Sequence, residues 1–134
     1  MEDRRTFVMK VAAGMAVTGF FPVTGKASSK EQTNHTFVHH VFFWLKEPQN
    51  ADACAEFEQG LQALVTVPHI KSYHIGRPVQ SPREVVDDSF TYSYMAFFSG
   101  KEDQDAYQTH PIHLKFVEDC QHLWEKVVVY DAMD

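Results

Sequence analysis

The sequence predicts an α+β domain, a single antiparallel sheet of four strands carrying its helices on one face. Three observations lead there. The chain has 134 residues, room for one domain and an appendage. Its apolar pattern alternates between a period of two and a period near 3.6, in the order β-α-β-β-α-β. Eleven Phe, five Tyr and two Trp supply a sizeable core for so short a chain, and 44% apolar with 22% charged residues is a globular balance, not a disordered one. The net charge of −6 leaves no basic stripe to displace counterions, which argues against a general nucleic-acid binder.

The elements follow in chain order. His35–Lys46 (HTFVHHVFFWLK) is β-branched and aromatic and reads as a strand. Phe37, Val41, Phe43 and Leu45 share one of its faces, and Val38, Phe42 and Trp44 the other. Pro48-Gln49-Asn50 breaks it. Residues 52–65 have helical spacing, with Phe57, Leu61, Leu64 and Val65 on one stripe. Pro68 ends that helix, and residues 69–76 (HIKSYHIG) form a second strand. Residues 77–89 hold Pro78, Pro82 and several charges and read as a loop. Residues 90–98 (FTYSYMAFF) alternate as a third strand. A short helix over 102–108 precedes a longer one over 111–124, with Pro111 at a favoured first-turn position. Residues 126–131 (KVVVYD) make the last strand. This order is the ferredoxin-like split unit.

In such a unit one sheet face meets the helices and the other meets water. Here the second face is also aromatic, and leaving it bare would expose a patch larger than a monomer normally tolerates. A second copy packed sheet to sheet across a twofold axis is the simplest cover, so the expected partner is the chain itself.

The first 27 residues read differently. Arg4-Arg5 stands ahead of Phe7, the mildly apolar run Val11–Val23 follows, and Thr24-Gly25-Lys26-Ala27 offers small residues before a cut after Ala27. A basic head, short apolar middle and small-residue exit make an export signal, and the paired arginines make it twin-arginine-like. The expected division is a signal over 1–27, a polar leader over 28–34 and the domain over 35–134. The mature protein would then lie in the periplasm or another extracytoplasmic space. No apolar run reaches membrane-spanning length, so no membrane association is expected once the signal is removed.

Tyr107-Gln108-Thr109-His110-Pro111-Ile112-His113, the later Trp124-Glu125-Lys126 and its apolar strand, and the early strand His40–Lys46 together resemble the stress-responsive dimeric α/β-barrel (Dabb) family, over about residues 37–131. The resemblance implies a homodimer whose two sheets close a barrel. It implies little about activity, since family members differ. In one plant member, a polyketide cyclase, the Tyr and His of this run are the catalytic pair, which places that role on Tyr107 and His113. Its early-strand His corresponds to His40. Its third-strand His corresponds to Tyr92, and its first-helix Tyr falls near Gly60, two departures that separate this chain from that substrate.

Chemically, His113 in the first turn of a helix is kept neutral and suits a general base, with the Tyr107 phenol as donor to a developing enolate. The plain alternative is packing at the helix–sheet seam. His40, Phe42, Tyr92 and His110 are the candidate substrate-lining residues, with a turn or capping role as the alternative for His110. His39 and His40 must face opposite ways, and which one faces the helices stays open. Eight His raise a metal alternative through His40, His110 and His113. The helical i,i+4 pair and the thiol–carboxylate set of known sites are missing, so no metal or other cofactor is expected. A haem-degrading monooxygenase on a similar barrel is a further alternative. Cys54 and Cys120 either bridge two helix ends or stay free thiols. The expected function is an exported homodimeric module that binds a small, apolar molecule or serves in stress, without established catalysis. The alternative is a lyase, cyclase or isomerase moving a proton on a small aromatic or polyketide-like compound.

Overall fold

Strand β1 (Phe37–Leu45) alternates buried and half-buried side chains along its whole length, because both of its faces are covered or apolar. The computed structural model describes residues 29–134, and the expected export signal lies outside the described residues. Thr33–Asp134 forms one compact unit. After β1 come α1 (Ala51–Leu64), β2 (Ser72–Gly76), β3 (Tyr92–Phe98), α2 (Lys101–Gln108), α3 (Pro111–Cys120), a tight 3-10 turn over Gln121–Leu123 and β4 (Trp124–Met133). The sheet order is β2-β3-β1-β4 and every neighbouring pair is antiparallel. This is the ferredoxin-like α+β topology.

Boundaries differ from the sequence pattern where backbone groups are spent elsewhere. The second strand starts at Ser72 because the Ile70 N–H closes a turn onto the Val67 carbonyl. The last helix stops at Cys120, since Leu123 already gives its carbonyl to the Lys46 N–H and Trp124 pairs with Leu45. Asn50 caps α1 by accepting the Ala53 N–H at 3.0 Å. Ahead of β1, the Asp134 carboxylate accepts the N–H groups of His35 and Thr36 at 2.7 and 2.9 Å, tying the segment after β4 to the approach to the first strand.

The core lies between the sheet and the helices. Phe57, Leu61 and Leu64 of α1 meet Phe43 and Leu45 of β1, Tyr92, Tyr94 and Phe98 of β3, and Phe116 of α3. Helices α1 and α3 approach closely at Gly60, where an added Cβ would overlap the Cys120 Sγ. That fit decides two questions. An aromatic residue has no room at position 60, and the Cys120 thiol is committed to the helix contact, where burial pushes its pKa up to about 11. Cys54 instead directs its thiol to the Pro48 carbonyl at 3.4 Å, and both cysteines are free.

On the opposite sheet face stand Val38, His40, Phe42 and Trp44 of β1, all half-buried. Phe42, Trp44, Phe90, Val128 and Tyr130 line a hollow there of about 210 Å³, with Asp87 and Lys126 also at its walls.

Candidate functional site

Period two puts His39 on the helix face of β1 with Phe37 and Val41, and strand pairing sets it opposite Asp131 of β4. The His39 Nδ1 lies 2.7 Å from an Asp131 carboxylate oxygen. The His39 side chain is 7% exposed and that of Asp131 41%, so the carboxylate reaches in from the margin and orients an interior imidazole. The His39 ring stands edge-on to Tyr107 at 5.6 Å and to Tyr94 at 6.4 Å. The two phenols share a hydrogen bond of 3.1 Å. His113, in the first turn of α3, packs its ring 4.8 Å from that of Tyr107.

A seam between sheet and helices therefore holds two imidazoles and two phenols where hydrocarbon alone would pack. Burying polar groups costs free energy unless they are paired. Among the described residues, the buried His113 Nδ1 has no hydrogen-bond partner. Burial, and after it the nearby His39, lower the His113 pKa, with the Gln108 backbone opposing, so the ring is neutral at physiological pH. Burial, and after it Tyr94, raise the Tyr107 pKa and keep that phenol protonated. Burial also pushes Tyr94 up to about 12, against the opposing hydrogen bond of Tyr107. The set contains a neutral base and protonated donors side by side, the combination that acid–base chemistry at neutral pH requires.

Of the candidates drawn from the sequence, the structure brings Tyr107 and His113 together and places the others elsewhere. His40 points to the open sheet face, away from Tyr107 and His113, with Nε2 2.8 Å from the Ser93 hydroxyl and its ring 4.2 Å from Phe42. Alternation forces this, since His39 takes the inward place, so His39 and not His40 stands beside Tyr107 and His113. Phe42 lines the open-face hollow, on the other side of the sheet from His113. Tyr92 is on the helix face but spends its hydroxyl on Glu58 of α1 at 2.5 Å. His110 is the N-cap of α3, its Nδ1 accepting the Ile112 N–H at 3.1 Å, so the capping alternative describes it. Asp131, Tyr94, Glu58 and Arg77 do not stand out in the sequence as site residues. An acidic residue closing an apolar strand is the one signal available for Asp131. Among the described residues, no group of three or more His, Cys, Asp or Glu side chains is arranged to hold a metal ion.

Folding stability is expected to fall on mild acidification. The folded pKa values of His113 and His40 lie below 6.5, both lowered first by burial. Between those values and 6.5 the unfolded chain binds more protons, so the stabilisation is complete above the unfolded pKa and is lost as pH falls through the folded ones. Urea midpoints at fixed protein concentration should drop from pH 7.5 to pH 5, less steeply in His113→Gln; an unchanged or higher midpoint at pH 5 would contradict the assignment.

The family model of the stress-responsive A/B barrel domain matches residues 37–134. A stress-response A/B barrel domain-containing protein of Arabidopsis thaliana is 28% identical over 96 residues, 71% of this chain and 83% of its own length. Among solved structures, a hydroxynitrile lyase from Passiflora edulis superposes with a TM-score of 0.64 at 22% identity, over 74% of this chain and 93% of that one. A dabb family protein with a ferredoxin-like fold from Mesorhizobium loti gives 0.63 at 19%, over 74% and 96%. A dimeric ferredoxin-like protein of unknown function from Thermobifida fusca gives 0.59 at 19%, over 74% and 91%. At these identities the structural likenesses show the fold.

Proposed function

The chain belongs to the stress-responsive A/B barrel domain family, and from that membership we propose that it acts as an exported homodimer that holds a small molecule at the seam of His39, Tyr94, Tyr107 and His113. The observation that carries the ligand reading is the buried Nδ1 of His113, unpartnered among the described residues, beside two phenols. A buried nitrogen of this kind finds its partner in bound water or in a ligand. The homodimer rests on the half-buried aromatic face of β1 and on relatives described as dimeric ferredoxin-like proteins. Export rests on the twin-arginine-like segment alone, with cleavage after Ala27, a leader over 28–34 and the domain over 35–134.

A second reading, proton transfer of the lyase or isomerase kind, is favoured by one specific arrangement. Asp131 holds His39, while His113 stays neutral and Tyr107 protonated. In that reading His113 takes a proton from carbon or oxygen of a small carbonyl compound, and the Tyr107 hydroxyl donates to the oxygen where charge develops. One structural relative is a hydroxynitrile lyase, a lyase by name. Should His113→Ala keep full activity on a substrate once found, this reading fails.

Native mass spectrometry of protein purified from its host tests the first reading as a whole. The expected result is a two-subunit particle, a chain starting near Ser28 and a retained small molecule that His113→Ala loses. A single-subunit particle overturns the assembly, a start at Met1 overturns export, and a ligand retained by the variant overturns its seat.

A further inference from the structure

Tyr92 belongs to a second, separate arrangement. Between α1 and the end of β2 lies a cleft of about 640 Å³, lined by Glu58, Gln59 and Gln62 on the helix, Ile75 and Arg77 on the strand side, and Tyr92. The Tyr92 hydroxyl donates to Glu58 Oε2 at 2.5 Å and receives the Arg77 Nη1–H at 3.3 Å. The Arg77 guanidinium carbon sits 4.5 Å from the centre of the Tyr92 ring, so the guanidinium stacks on the phenol. Arg77 Nη1 and Glu58 Oε2 are 4.0 Å apart, a loose pair.

Both charged side chains are about half exposed, 52% and 53%, so their attraction is screened and adds little to the fold. Arg77 lies just past the last residue of β2, where neither the sheet ladder nor the core requires a cation. What the buried phenol achieves is to hold one positive and one negative group side by side at the mouth of a cleft. Such a site is neutral overall and strongly dipolar. A simple carboxylate would meet Glu58 and a simple amine would meet Arg77, each a repulsion. A molecule carrying both charges meets each with its opposite. The guanidinium fork outside the Tyr92 bond is suited to a carboxylate, and the Glu58 carboxylate to an ammonium. The amides of Gln59 and Gln62 can donate to and accept from a polar substituent.

The geometry points to a binding site for a small zwitterion of the free α-amino acid class, its carboxylate on Arg77 and its ammonium on Glu58, with a polar side chain toward Gln59 and Gln62. The site uses none of the seam residues, so it stands or falls apart from the seam reading.

Isothermal titration of the purified full chain with the free L-amino acids, glutamine first, tests it. Two glutamine analogues complete the panel: glutaramic acid, which lacks the ammonium, and 4-aminobutanamide, which lacks the carboxylate. Glutamine is expected to bind at least about tenfold more tightly than either analogue. Arg77→Gln and Glu58→Gln should each weaken it by a similar factor, and Arg77→Lys, which keeps the charge without the fork, by less. His113→Ala should leave it unchanged. Heat-denaturation curves of the Arg77 and Glu58 variants should match the parent, since both side chains are half exposed. No binding by any member at millimolar concentration, equal binding by the analogues, or binding unaltered in Arg77→Gln would overturn the proposal.

Discussion

Phe42→Asp is expected to convert the proposed homodimer into a folded single subunit. Phe42 stands on the open face of the central strand, its ring 5.0 Å from Phe90 and 6.1 Å from Tyr130. On β3 and β4 it pairs with Ser93 and Val128. In one subunit the side chain is only half-buried, so a carboxylate there keeps access to water and costs the isolated fold little. Across a twofold sheet-to-sheet contact the same carboxylate is buried, and symmetry places it there twice. An uncompensated buried charge costs about 3–5 kcal/mol, so the dissociation constant should rise by a factor on the order of 10³ or more. Lys126 is the nearby cation at this hollow, but its ammonium rests 4.5 Å over the Trp44 ring, and pairing it with residue 42 would give up that contact. Sedimentation at micromolar concentration reads the subunit count, and far-UV circular dichroism checks that the sheet persists. Phe42→Leu serves as the control that keeps the surface apolar and the dimer intact. A Phe42→Asp protein that still sediments as two subunits would show that this face is not the interface.

The same strand explains what is legible in the sequence and what is not. Its alternation places Phe37, Val41, Phe43 and Leu45 together, and all four are buried in the core. The order of elements is legible because each change of apolar period coincides with a breaker such as Pro48, Pro68 or Gly100. Ends are less legible, since single backbone hydrogen bonds set them: a local turn from the Ile70 N–H to the Val67 carbonyl delays β2 to Ser72, and the distant pairing of Leu123 with Lys46 stops α3 at Cys120. The seam shows the same division. Tyr107 and His113 lie six residues apart and meet because a short helix leads directly into the next. The third member lies one residue away from the histidine that the resemblance indicates. His39 shares the parity of Phe37 and Val41, and that parity fixes it on the helix side, but choosing between two adjacent histidines requires knowing which face the helices cover. Asp131, Glu58 and Arg77 come from segments far apart in the chain, and only the sheet register and the Tyr92 hydroxyl of β3 bring them to their partners.

Phe57→Ala should have the largest effect on stability of any single core change argued for this chain. Phe57 is fully buried, and its ring meets Phe43 at 4.8 Å, Tyr92 at 5.0 Å, Phe116 at 6.0 Å and Trp124 at 6.2 Å. These neighbours come from β1, β3, α3 and β4, so one side chain joins four elements to α1. Truncation removes the transfer free energy of the ring and leaves a void bounded by rigid aromatic groups that cannot collapse into it. The expected loss is about 3–5 kcal/mol, against the roughly 5–15 kcal/mol by which domains of this size are usually stable. Phe57→Leu keeps much of the volume and should cost distinctly less. The void also lies beside Tyr92, the phenol on which Glu58 and Arg77 are held, so the cleft should loosen together with the core. Urea unfolding of parent, Phe57→Leu and Phe57→Ala proteins reads the ordering, with the midpoint falling in that sequence at an unchanged slope. Equal midpoints for the Leu and Ala proteins would mean that the surrounding rings do relax, and that this cluster is not the rigid junction that holds Tyr92 and the cleft beside it.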